Sequence, residues 1–460
     1  MSGPDDTDGE GTGAGPGSAR RGRRRNAGRP QGSIARGSDI AWILTRHGVH
    51  HLGAVVRDRH RGVRPEVPQG AVELREALED LGPTYVKLGQ LLSTRGDLLP
   101  DGYATELARL QDQVRPIPPE VVHQVVRAEG GAGVDELYVH FEDEPLAAAS
   151  IGQVHAATWA DAEGVEHDVV VKVRRPDVAG LVDADLHLLT RVAELVARTS
   201  PHARQQLDPE GLAAEFGASL RRECDFRSEA SIAQALRERF GTTDLAVGIP
   251  RIVAERSTSG VLTMSRVRGV ALSELTAEQV DDESLAPLAR EYADAFMAMV
   301  FSFGLFHADP HPGNVFVQDD GSIVLIDFGK FGRIDDALRA ALTRLLTALA
   351  LHDPDQIVDA LGAMEVTSEG PTDHDGLRDD VVALVVAHGS EDLATLDVGA
   401  VLSEMLAIIR RHRLRMPPDL MLLLATVVMC EGVAAELDPS FQLQPVVLRW
   451  IGQGGFGASS

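Results

Sequence analysis

The chain has 460 residues, 44% of them apolar, which is enough for a sizeable core and too long for one ordinary single-core domain. Its 44 Lys and Arg stand against 69 Asp and Glu, a formal net charge of −25, which argues against wrapping nucleic acid or coating an anionic membrane with the whole surface. Two cysteines, Cys224 and Cys430, form no CxxC pair, which argues against a disulfide framework or structural zinc and fits a reducing cytoplasm.

Residues 1–37 are rich in Gly, Ser, Asp and Arg and nearly free of large apolar side chains, so they are predicted to be a disordered tail. Within it, Arg20, Arg21, Arg23, Arg24 and Arg25 read either as a solvated charge cluster or as an electrostatic tether to lipid headgroups or nucleic acid. No hydrophobic secretory segment is visible, and no uninterrupted apolar run reaches the roughly 18–20 residues of a membrane helix. The nearest, Leu420 to Cys430, reads as a buried helix. Helical patterning is predicted from about Ile40 to Val114: an amphipathic stretch Ala71 to Leu81, a break at Gly82-Pro83, a helix from Thr84 carrying Lys87 and Gln90, and another from Gly102 to Gln113. Pro118-Pro119 opens a short helix, since proline suits the first helical turn.

Past the glycines at 130, 131 and 133, three strands are predicted within residues 144–175, the last containing Val169 to Val173 after a turn at Asp161 to Gly164. Helices at about 180–199 and 208–239 follow, then strands at about 250–255 and 260–267. From about residue 283 the chain reads as helix, interrupted by a loop and hairpin at 304–328. Strands first and helices afterwards imply two unequal lobes with a cleft between them.

Two segments carry the chemistry: Phe306-His307-Ala308-Asp309-Pro310-His311-Pro312-Gly313-Asn314 and Ile326-Asp327-Phe328-Gly329. Phosphoryl transfer of the kinase type needs an Asp to take the nucleophile's proton, an Asn four intervening residues later to bind Mg²⁺, and a second Asp across a short hairpin to bind the metal that bridges the phosphates. Asp309, Asn314 and Asp327 have that spacing, with apolar runs 315–317 and 323–326 joined at Asp319-Asp320-Gly321. A zinc pair His307/His311 on a helix is the competing reading, and Pro310 and Pro312 disfavour that helix.

The only lysines are Lys87, Lys172 and Lys330; every other fixed cation is Arg. Ammonium and guanidinium differ in size, hydration and donor geometry, so these three mark places where Arg does not fit, and they are candidates to converge on one cleft. Lys172 lies in a β-branched strand, the setting of a nucleotide-phosphate lysine. Glu223, Asp225 and Glu229 are its candidate partners; on one continuous helix Glu223 and Glu229 would project about 120° apart and so require two different cations.

These residues resemble the UbiB-like atypical kinases, or aarF-domain family, over roughly Val72 to Phe441. The resemblance rests on Lys87-Leu88-Gly89-Gln90, on Ser93, Arg95 and Asp97 to Pro100, on Ala147-Ala148-Ala149-Ser150-Ile151-Gly152-Gln153-Val154-His155, on Val171-Lys172, on Glu223-Cys224-Asp225-Phe226 with Glu229, and on the two catalytic segments. It implies an α+β, bilobal protein-kinase-like fold with a helical N-terminal extension packed over the cleft. The implied divisions are a tail (1–37), the extension (38–117), a small lobe (118–267), a large helical lobe (268–450) and a flexible tail (451–460). It also implies ATP or ADP and Mg²⁺ as cofactors, with Asp309 catalytic, Asn314 and Asp327 on the metal, and Ala147, Ala148, Ala149, Ser150, Lys172 and Glu229 on the nucleotide. Lys87 and Gln90, sharing a helix face, would form with Glu223 and Asp225 a lid where a kinase binds peptide.

The implied activity is ATP hydrolysis or phosphorylation of a small molecule in isoprenoid-quinone (ubiquinone or menaquinone) biosynthesis, with a quinone precursor or lipid as partner. The cysteine usage and the Arg20 to Arg25 cluster add the expectation of a cytoplasmic location with peripheral contact at the inner membrane face. No nucleic-acid partner is expected. His-Ala-Asp lacks the Arg that receives an activation-loop phosphate, and no Ala-Pro-Glu follows Gly329, so protein phosphorylation is disfavoured. Two alternatives stay open: a non-catalytic nucleotide-sensing scaffold, and a small-molecule kinase of the aminoglycoside or choline type.

Overall fold

A computed structural model of the chain describes residues 68–94, 102–110, 116–200, 208–275, 282–351, 353–364, 366–368, 373–388, 398–412 and 414–452. The tail expected at 1–37 with its Arg cluster, the start of the extension through residue 67, Arg95 to Pro100, and most of the tail expected at 451–460 lie outside the described residues.

The extension begins with α1 (Gln69–Leu81) and α2 (Pro83–Thr94). Gly82, at φ 104°, ends the first helix and returns its N–H to Leu78 and Glu79, and Pro83 opens the second. A short α3 (Tyr103–Leu107) packs on both, burying Leu78, Leu81, Tyr85, Val86, Leu107 and Leu110. The helix expected from Gly102 to Gln113 is thus one short turn through the described residues, with 111–115 outside them. Gly89 sits where a Cβ would lie 2.2 Å from Leu110 Cδ1 and 2.8 Å from Leu78 Cδ1, so a side chain there would push the small bundle apart.

After α4 (Pro119–Gly130) and α5 (Val134–Leu137) comes the small-lobe sheet: β1 (His140–Ala148), β2 (Gly152–Ala160) and β3 (Glu166–Arg174), completed by β4 (Val261–Ser265) in the order β1-β2-β3-β4, all antiparallel. The period of two decides β3: Val169, Val171 and Val173 bury against Val122 and Val126 of α4, so Lys172 takes the opposite face. The run at 250–255 is not a strand. Ile252 makes a single bridge to Met264, Pro250 has no N–H to give, and Arg251 spends its own on Ser265 Oγ.

Between β3 and β4 lie α6 (Val178–Thr199), α7 (Pro209–Glu223) and α8 (Phe226–Phe240). The single helix expected over 208–239 breaks at Cys224-Asp225. Asp225 has extended backbone, caps α8 by accepting the Arg227 N–H, and the Phe226 N–H leaves for Ser259 O.

The large lobe is mostly helical. Its α9 (Asp282–Met297) runs into a π-turn, Ala298–Phe303, which ends at Gly304. There φ is 62° and a Cβ would lie 2.7 Å from the Ile334 carbonyl, so glycine is required on both counts. Strands β5 (Leu305–His307), β6 (Val315–Val317), β7 (Ile323–Leu325) and β8 (Phe331–Arg333) follow, with β6 and β7 a hairpin and β5 paired to β8. Then come α10 (Asp336–Ala350), α11 (Pro354–Ala363), α12 (His374–His388), α13 (Val398–Arg411), α14 (Pro418–Leu437) and α15 (Leu443–Gly452).

Among the described residues, α14 is the one helix long and apolar enough to cross a membrane. It packs on α9 and buries Leu420, Met421, Leu423, Thr426, Cys430, Val433 and Ala434, while Val428 is exposed. The extension helix α2 rests on α7 of the small lobe and on α14 of the large lobe, and so bridges the two.

Candidate active site

The loop from His307 to Asn314 is held by its own polar groups. His307 is wholly buried on β5. Its Nδ1 accepts the Asp309 N–H at 3.1 Å, so Nε2 carries the proton and donates to the Ile326 carbonyl at 2.9 Å. Burial holds the imidazole below its ordinary pKa, keeping that neutral tautomer. One ring thereby ties the backbone beside Asp309 to the backbone beside Asp327. Tyr292, buried on α9, donates its hydroxyl to the Pro310 carbonyl at 2.6 Å. Asn314 Nδ2 donates to the Asp309 carbonyl at 3.0 Å, which turns the amide oxygen away from that contact.

The β6–β7 hairpin then places the second carboxylate. Register pairs Val315 with Leu325, and the Ile326 N–H donates to Asn314 O at 2.9 Å, so Asp327 emerges beside Asn314. Asp327 adopts φ 57°, a left-handed backbone that Asp tolerates better than most residues and that residues at functional sites often hold. Its Oδ1 accepts the Gly329 N–H at 3.3 Å.

The cations come from three distant parts of the chain. Lys172 Nζ donates to both Glu229 oxygens at 2.9 Å and to Asp327 Oδ1 at 3.1 Å, and lies 5.4 Å from the centre of the Phe226 ring. Burial alone would lower the Lys172 ammonium, but Asp327 and Glu229 outweigh it and hold it above its ordinary value. Glu229, only 7% exposed, is pushed up by burial against the pull of Lys172. Asp327, half exposed, is held well below the usual carboxylate range chiefly by Lys172, and Lys87 contributes to the same field. Lys330 Nζ donates to Asp309 Oδ2 at 3.1 Å. Burial would raise Asp309, yet Lys330 and His311 bring it below its ordinary value.

Lys87 lies 3.3 Å from Glu223 Oε2, both side chains nearly buried. Glu223 ends α7 and Glu229 stands one turn into α8, so they serve different lysines because they lie on two helices, not because one helix turns them apart. Two lid candidates bond to other partners. Gln90 donates its amide to the Leu110 carbonyl at 3.1 Å, fastening α2 within the extension. Asp225 binds the Arg227 guanidinium through both oxygens and caps α8.

Ala147 and Ala148 are paired strand residues, opposite Val154 and Gln153; the turn proper is Ala149 to Ile151. It closes through Ala149 N–H to Gly152 O at 2.8 Å and through Arg175 Nε to Ala149 O at 2.9 Å. Ser150 is buried with its Oγ bonded to no protein group. Sequence reasoning missed Tyr292 and Arg175, whose residue types give no hint of a backbone partner far along the chain. It marked Lys330 by the rarity of lysine but gave it no partner.

Asp327 and Asn314 offer two oxygen ligands, and no group of three His, Cys, Asp or Glu that could hold a metal occurs among the described residues. That donor set fits Mg²⁺, which keeps waters and takes phosphate oxygens in place of an all-protein cage.

The Lys87–Glu223 contact makes a measurable prediction. Lys87→Met and Glu223→Gln, singly and together, are expected to show a coupling of about 1–3 kcal/mol in urea unfolding. Additive effects would mean the two do not interact in solution.

Residues 109–361 match the ABC1 atypical kinase-like domain, and residues 387–442 match the UbiB helical domain. The extension carrying Lys87 precedes both matches. Among solved structures, the chain is similar to the Rv3197–erythromycin complex from Mycobacterium tuberculosis, with 24% identity, a TM-score of 0.48, and coverage of 81% of this chain and 96% of that one.

Proposed function

The chain belongs to the ABC1 atypical kinase-like family, and we propose that its cleft binds Mg-ATP and hydrolyses it, or passes its γ-phosphoryl group to a small molecule, in support of isoprenoid-quinone biosynthesis. The observation that carries this reading is that Lys172 and Glu229 of the small lobe meet Asp327, which the β6–β7 hairpin sets beside Asn314 and the loop of Asp309. In it, Lys172 binds phosphate oxygens while Glu229 fixes its direction. Asn314 Oδ1 and the Asp327 carboxylate would hold Mg²⁺, which would supply positive charge to offset that of the phosphates. The β1–β2 turn with Ser150 covers the nucleotide.

Asp309 accepts the proton of a water or alcohol. That oxygen bonds to the γ-phosphorus as the β–γ bridging P–O bond breaks, and the bond's electron pair leaves on the β-phosphate oxygen of ADP. Lys87 and Glu223 hold the extension over the place where a kinase seats peptide. Only β8 lies between Gly329 and α10, which leaves little chain for a peptide platform and favours water or a small acceptor. A quinone precursor or lipid as acceptor or partner, and membrane contact through Arg20 to Arg25, belong to the same proposal.

Purified protein is expected to release phosphate from Mg-ATP, and Asp327→Asn to reduce that release by about 10²-fold or more, as loss of a transition-state charge partner does. Equal rates for the two would remove the hydrolytic reading. Tight nucleotide binding with no turnover in either would favour a nucleotide-sensing scaffold.

A further inference from the structure

The catalytic loop contains no Lys or Arg between Asp309 and Asn314, where the residues are Pro310, His311, Pro312 and Gly313. The fixed cation at Asp309 comes instead from Lys330, the residue after Asp-Phe-Gly. Its backbone is stitched to the same loop: Ala308 N–H donates to Lys330 O at 3.2 Å, and Phe331 pairs with His307 across β5 and β8. Sheet register therefore fixes the Lys330 backbone beside the loop that carries Asp309.

This ion pair is poorly explained as a stabilising element. The two side chains are 33% and 28% exposed, and a pair partly open to water adds modestly to folding. Arg serves nearly every other cationic position in the chain. An Arg fork would take both oxygens of a carboxylate, whereas one ammonium here takes Oδ2 alone, leaving Oδ1 for a nucleophile's proton. Its remaining donors are available to a second anion.

We propose that Lys330 is a phosphate-binding residue of the cleft, contacting the γ-phosphoryl group of a bound nucleoside triphosphate. This rests on the Mg-ATP reading above and deepens it. A nucleophile poised for transfer lies roughly 3–3.5 Å from the γ-phosphorus and within hydrogen-bond reach of its base. A cation 3.1 Å from that base is consequently at the γ end of the phosphate chain, while Lys172 lies at Asp327 on the metal side. With a diphosphate bound, Lys330 keeps only its contact to Asp309, so it discriminates triphosphate from diphosphate.

The test uses the full chain, with calorimetric affinities for Mg-ATP and Mg-ADP and steady-state kinetics. Lys330→Met is expected to weaken Mg-ATP about tenfold, leave Mg-ADP within about twofold, and lower kcat by about 10²-fold. Lys330→Arg is expected to recover Mg-ATP affinity but not kcat, because the fork engages both Asp309 oxygens. Should Lys330→Met lack a cooperative melting transition, Lys330→Gln is read by the same criteria. An ATP-to-ADP affinity ratio equal to that of the wild type overturns the proposal. A wild type that binds Mg-ATP without turnover defeats the hydrolytic reading alone, and the affinity ratio still judges Lys330. Failure of the wild type to bind any nucleotide defeats both.

Discussion

Asp309→Asn is expected to lower ATP turnover by about 10²–10⁴-fold, the usual cost of losing a general base, while Mg-ATP affinity stays within a few-fold. The exchange is close to isosteric, and the loop does not depend on the carboxylate for its shape. Its backbone is held by His307 at the Asp309 N–H, by Asn314 at the Asp309 carbonyl, and by Tyr292 at Pro310. Only the contact to Lys330 is exchanged, and that pair is partly open to water. Stopped assays of phosphate release, set beside thermal melting and nucleotide titration of the same preparation, separate chemistry from folding. A variant with wild-type kcat would take the base role away from Asp309.

Lys172→Met is expected to cost about 3–5 kcal/mol of stability without ligand, because it strands a buried carboxylate. Met nearly matches the length of the lysine stem, so little cavity forms. What is lost is the cation that faces both Glu229 oxygens and Asp327. Asp327 is half exposed and has water to fall back on; Glu229 is 7% exposed and does not. Most of the loss should sit on Glu229, and adding Glu229→Leu should recover a large part of it.

The pH dependence has a definite sign. Burial already pushes the Glu229 carboxyl up, and removing Lys172 removes the opposing pull. A group whose folded pKa exceeds its unfolded value contributes stability below the unfolded value, lost as pH rises through the folded one. The deficit of the variant should therefore be smallest near pH 5 and grow towards pH 8 in urea titrations. A deficit independent of pH would mean that Glu229 is not the stranded charge.

The same cluster separates what could be read locally from what could not. The break at Gly82-Pro83, the helix opened by Pro119, and the alternation that buries Val169, Val171 and Val173 while turning Lys172 away follow from neighbouring residues. So does the hairpin that sets Asn314 beside Asp327. The rarity of lysine singled out three side chains, and the structure puts Lys87, Lys172 and Lys330 each against a carboxylate.

Partners were less legible. Gln90 and Asp225 satisfy Leu110 and Arg227, and the α7–α8 break turns on where the Phe226 N–H finds an acceptor, at Ser259. Local geometry and the short motifs, then, were determined by the sequence alone, because backbone sterics and side-chain period act within a few residues. Which lysine meets which acid was decided only by tertiary structure, since a charge selects its partner by distance and burial once the lobes and the extension have packed together.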